Sequence, residues 1–156
     1  MITQVRQGRA LLIAIAALGL LCQAGCGEGP RRVPAGGTVM LDDEPLEGGI
    51  LYFNPDTSKG NTARVSCSSP VRNGRFELRT VGVHQSESGA GVPLGWYKVS
   101  LRVNTPGEKP IFPGPVIDID PVYLDARTTP LSIEVVEDPA PDAYDLKVTR
   151  NPRPGG

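Results

Sequence analysis

Histidine is almost missing from this chain: His84 is the only one in 156 residues. Aromatics are scarce, with one tryptophan, three phenylalanines and four tyrosines. Basic excess is missing too, since 16 lysines and arginines face 17 aspartates and glutamates. A chain with no surplus of cations has little with which to neutralise phosphates, which argues against a nucleic-acid partner. Three cysteines is an odd count, so a disulfide framework is not the natural reading. No segment carries a convincing helical stripe of apolar residues. The longest apolar run, Ala10 to Leu21, is about a dozen residues, short of the roughly 18 needed to cross a bilayer.

What is abundant is punctuation. Glycine (19) and proline (16) suit short strands joined by many turns and disfavour long helices. The apolar run is preceded by Arg6 and Arg9 and followed by the small residues Ala24 and Gly25, then Cys26. A basic start, a short greasy middle and small residues form the layout of a secretory signal. With the cysteine added, the stretch resembles the lipobox of bacterial lipoproteins, departing from it at Gln23, where leucine is usual. The resemblance implies removal of residues 1–25 as a signal peptide and acylation of Cys26, so that lipid chains become the anchor. A plain secreted product and an uncleaved anchor are the alternatives. Arg6 and Arg9 would leave with the signal, so 14 basic residues would then face 17 acidic ones. Residues 26–36 read as a flexible tether, with prolines at 30 and 34 stiffening its far end.

Beyond the tether the apolar spacing has period two, as in strands with one oily face. Inward sets are Val39 and Leu41; Leu51 and Phe53; Ala63, Val65 and Cys67; Phe76 and Leu78; Tyr97, Val99, Leu101 and Val103; Leu131, Ile133 and Val135; and Tyr144, Leu146 and Val148. Turn chemistry separates them. Asp42-Asp43-Glu44-Pro45 follows the first, and Asn73-Gly74 predicts a tight hairpin with positive φ at both residues. Two longer connections run from Val81 to Gly95 and from Thr105 to Thr129. The fold class predicted is all-β: a seven-stranded antiparallel β-sandwich over residues 37–150, after an N-terminal signal helix, with 151–156 a loose tail.

Four blocks carry a resemblance: "GTVMLDDEPLEGGILYFNP", "VRNGRFELRT", "GAGVPLGWYKVSLRV" and "VYLDARTTPLSIEVVEDPAPDAYDLKV". In this order they resemble small bacterial lipoproteins with a carboxypeptidase regulatory-like domain, which is transthyretin-like (prealbumin-like) in fold. Asp43 departs from the glycine usual in the first turn, and Leu94-Gly95-Trp96 from the usual Pro-Gly. The resemblance implies an extracytoplasmic, membrane-anchored address at the periplasmic face or cell surface. It assigns no activity. Hydroxyisourate hydrolase, an enzyme of related fold, uses several histidines and a Tyr-Arg-Gly-Ser ending. Neither feature is present here.

Candidate site residues are few. His84 lies in a Ser/Gly/Gln loop and reads as solvated rather than catalytic, since a triad histidine must be held between partners. Cys67 reads as a small buried hydrophobe, with a reactive thiol as the alternative. Asp118, Asp120 and Asp125 are a candidate calcium cluster weighed against a solvated acidic loop. Trp96, Tyr52 and Ile50 fall on outward faces. Trp96 and Tyr52 are candidates for surface binding of an envelope protein or glycan, unless the long loops cover them. No cofactor is implied. The expected function is a lipid-anchored, non-enzymatic binding or structural module of the bacterial cell envelope. The alternative is an accessory protein assisting an envelope hydrolase or transporter.

Overall fold

A computed structural model describes residues 31–82 and 88–152. Cys26, the signal segment and His84 therefore lie outside the described residues. The chain is all-β. Its strands are β1 (Arg32–Val33), β2 (Gly36–Leu41), β3 (Glu44–Pro45), β4 (Gly48–Pro55), β5 (Ser66–Arg72) and β6 (Arg75–Glu77). They continue with β7 (Arg79–Val81), β8 (Gly89–Ala90), β9 (Val92–Pro93), β10 (Gly95–Arg102), β11 (Ser132–Val135) and β12 (Leu146–Val148). The long path of pairing runs β11-β10-β4-β5-β6-β2-β12, while β1 pairs β9 separately.

The alternation read from the sequence carries this sheet. Leu51, Phe53, Tyr97 and Val99 are wholly buried. They meet because β4 and β10 pair antiparallel with Phe53 opposite Val99 and Leu51 opposite Leu101. Phe53 sits at the centre, its ring 6.0 Å from Phe76 and 6.1 Å from Tyr97. One continuous core takes residues from both ends of the strand path, which curls the sheet around it. The Asn73-Gly74 hairpin forms as expected, with φ of 49° and 73° and Arg72 opposite Arg75.

Four expectations need correction. The sheet is not wholly antiparallel, because β12 lies parallel to β2 with Leu146 opposite Val39. The segment after β11 crosses the open side before the last strand joins the far edge, and the Tyr144 hydroxyl hydrogen-bonds the backbone of Val136 on the way. The strand expected at Ala63–Ser68 is shifted to Ser66–Arg72, so its inward residues are Cys67, Ser69 and Val71. The side chain of Asn61 causes the shift: it accepts from the Ala63 amide at 2.9 Å and holds residues 61–63 in a turn. The strand through Phe76 and Leu78 is split into β6 and β7, because the Leu78 amide donates to the Ala35 carbonyl (2.8 Å) and the Glu77 amide to Ser69 Oγ (3.0 Å). Finally, the stretch expected as tether is folded from Arg32 on. β1 pairs with β9, and Val33 and Ala35 are buried in the core.

The Thr105–Thr129 connection packs instead of dangling. Asn104, 2% exposed, anchors it with its whole side-chain amide. Nδ2 donates to the carbonyls of Phe112 (2.9 Å) and Gly114 (3.3 Å), and Oδ1 accepts from the Ile111 amide (2.8 Å). Ile117, Ile119 and Tyr123 then enter the core, and the Asp120 amide donates to the Thr149 carbonyl beside β12.

Candidate functional site

The outer face of β4, β10 and β11 carries the two candidate aromatics, both half-buried. The register separates them. Tyr52 lies opposite Ser100, four residues along β10 from Trp96, roughly 13 Å at strand rise. Tyr52 shares a cavity of about 340 Å³ with Ile111 and Leu124 of the long connection. Ser100, also on this outer face, is covered to 7% exposure. Loop cover is thus real at Tyr52. Trp96 faces a different and larger cleft, of about 880 Å³.

That cleft is built from three segments. One wall is the chain after β4. Asp56 caps a 3-10 turn over Thr57–Lys59 by accepting from the Ser58 amide, and Gly60 closes it at φ 80°. The Ser58 hydroxyl bond, opposed by burial and aided by Lys98 and Lys59, holds the Asp56 carboxyl below its usual range. Asn61 next donates through Nδ2 to the Trp96 carbonyl at 2.7 Å, which ties this wall to β10. Gly95 permits the contact: its φ is 128°, and a Cβ there would stand 3.1 Å from the Asn61 amide. The second wall is β1, laid over β9 where Gly91 (φ 80°) lets the Val33 carbonyl approach within 2.8 Å of a notional Cβ.

Trp96 is the floor. Lys59 Nζ stands 3.6 Å from its ring centroid and donates to Ser132 Oγ at 2.9 Å. A cation over an indole face is attractive by roughly 0.5–2 kcal/mol. Arg31, Arg32, Lys59 and Arg64 line the cleft against the single carboxylate of Glu134, with Ala63, Val65, Pro93 and Leu94 supplying apolar wall. Arg31 is paired to Glu137 at 2.6 Å. Arg64 is exposed and forms no ion pair among the described residues. The arrangement suits a ligand with an anionic group and an apolar body.

The other candidates do not join this site. Cys67 is fully buried, its Sγ 3.6 Å from Thr80 Oγ1, and burial pushes its thiol up against the opposing pull of Thr80 and Arg32. Such a thiol packs as a small hydrophobe. The three aspartates do not converge. Asp120 accepts from the Val122 amide at 2.9 Å, and Asp125 grips Arg127 at 3.0 Å, which holds its carboxyl at about 2. Among the described residues no group of three histidine, cysteine, aspartate or glutamate side chains could hold a metal ion. Among them, too, no helix is long and apolar enough to cross a membrane.

Lys59, Asn61, Arg64 and Gly95 were not legible as site residues. The run Asp56-Thr-Ser-Lys-Gly-Asn61 does hold a signal, since a capping aspartate followed by Ser-Lys-Gly marks a short capped turn. The fold and the cleft define an all-β chain with a cationic, tryptophan-floored pocket. No family model, curated protein or solved structure matches it.

Proposed function

We propose that this protein is a lipid-anchored, non-enzymatic binding module of the bacterial cell envelope, acylated at Cys26, whose ligand enters the Trp96 cleft. The observation that carries the reading is the cleft itself: four cations and an indole facing one carboxylate, shaped by Gly60, Gly91 and Gly95 at positive φ. Glycans and envelope proteins are the partner classes, through an anionic group set beside an apolar surface. The lipobox-like stretch before Cys26 supports the extracytoplasmic address. The ordered sequence blocks and the single core reached from both ends of the strand path support a transthyretin-like sandwich with a carboxypeptidase regulatory-like pattern.

The test uses the chain's single tryptophan. Because Trp96 floors the cleft, its emission reports occupancy. A screen of acidic glycans and envelope extracts against the membrane-extracted protein is expected to yield a saturable change in Trp96 emission. Intact mass is expected to begin at residue 26 with acyl chains added. A mass retaining Met1, or turnover of a substrate in the same screen, would refute the reading.

A further inference from the structure

We infer that the cationic rim of the Trp96 cleft docks on anionic phospholipid headgroups of the membrane that holds the anchor. The inference rests on the anchored reading above and adds an orientation to it. Arg31, the first described residue, lines the cleft and ties β11's outgoing chain through Glu137. Only residues 27–30 separate it from Cys26. Five residue steps reach at most about 18 Å when fully extended. With acyl chains on Cys26 in the bilayer, Arg31 at the edge of the cleft is therefore held within about 18 Å of the anchored cysteine, whatever path the intervening residues take.

Charge supplies the rest. Lys59 and Arg64 belong to the segment after β4 and Arg31 to the segment leading into β1, so both chain segments bring cations to the cleft. Arg64 has no carboxylate partner among the described residues, and Lys59 has an indole and a hydroxyl. Near an anionic bilayer each such cation favours the docked orientation roughly fivefold. The phosphate group is the element recognised, and the tether's short reach makes the headgroup layer its source. The docked molecule presents the cleft to the membrane surface, so a ligand bound there would be taken from the headgroup layer.

The experiment uses the membrane-extracted full chain, reconstituted in vesicles of phosphatidylcholine with or without phosphatidylglycerol, with a spin label on the headgroups. Trp96 emission is the readout, alongside flotation and intact mass. Quenching is expected with phosphatidylglycerol, with reversal by salt at about 0.5 M, where screening reaches only a few ångströms. Arg64→Gln, an exposed change that spares the fold, should lower the docked-to-free ratio roughly fivefold. Acylated protein that floats with anionic vesicles yet leaves Trp96 unquenched overturns the docking alone. Equal quenching in phosphatidylcholine alone, or no loss in the Arg64→Gln variant, also overturns it. Relief of quenching by soluble inorganic phosphate at constant ionic strength supports phosphate recognition. A mass without acyl chains overturns the anchored reading and the docking with it.

Discussion

Asn104→Asp is the sharpest perturbation of this fold because it changes one group and almost no volume. In the native protein Nδ2 gives its two hydrogens to the carbonyls of Phe112 and Gly114, while Oδ1 takes the Ile111 amide. An ionised carboxyl at position 104 keeps the last bond and turns an oxygen toward two carbonyl oxygens. Two bonds at about 0.5–1.5 kcal/mol each are lost, and repulsion in a buried site adds to the loss. The expected cost near pH 7 is about 3 kcal/mol, a large fraction of a typical domain's stability. The sign of the pH dependence follows. Burial and the facing carbonyls raise the folded-state pKa of the new carboxyl above its unfolded value of about 3.9. Below that unfolded value the group is protonated in both states and can still donate one hydrogen bond. As pH rises through the interval up to the folded pKa, the variant loses about 1.4 kcal/mol per unit relative to the native chain. Urea unfolding followed by Trp96 emission, run on both proteins from pH 3 to 8, measures the difference directly. A variant as stable as the native chain at pH 7, or one whose deficit shrinks as pH rises, would refute the account of Asn104 as the loop's anchor.

Three further outcomes are expected. Asp43, exposed at φ 107° with no hydrogen bond among the described residues, is strained where glycine would not be, so Asp43→Gly should stabilise by about 0.5–1 kcal/mol in the same unfolding assay. Tyr97 is fully buried with its hydroxyl donating to the Pro93 carbonyl at 2.8 Å, and burial pushes it up to about 12. Its neutral form is favoured by the fold, so the contribution is intact below about pH 10 and lost as pH climbs toward 12. Tyr97→Phe should cost about 1 kcal/mol at pH 7 and abolish that alkaline component. Gly95→Ala forces a side chain against Asn61 at a positive φ. It should cost at least about 1 kcal/mol and shift Trp96 emission in the folded state as the cleft wall moves. An unshifted spectrum would count against the coupling of Asn61 to the cleft.

The sequence disclosed most of the inward face and little of the pairing. Tyr97, Val99, Leu101 and Val103 alternate without interruption, and all four are buried. A period of two is a local property, so it survives translation into structure. The misplaced strand shows the limit. Ala63, Val65 and Cys67 alternate equally well, but Asn61 captures the Ala63 amide and Trp96 carbonyl, and the strand begins three residues later. It then runs through Pro70, a residue that ordinarily ends such a run. The parallel neighbours β2 and β12 have no local signature, because the residues that pair, Val39 with Leu146, are too far apart in the chain for any turn to join them. Of the cleft, only Trp96 was legible, as an outward aromatic. Lys59 and Arg64 became its companions through a capped turn and a loop whose geometry depends on Gly95, thirty and more residues away.

The parallel edge also sets an order of assembly. The Thr38 amide donates to the Asp145 carboxylate across 107 positions of chain, and β2 gains its outer neighbour only from β12. During synthesis, β2 therefore waits with an unpaired edge until β12, 107 positions further along, has left the ribosome. Contacts of such wide separation slow folding. A sheet that closes so late stays threadable until β12 emerges.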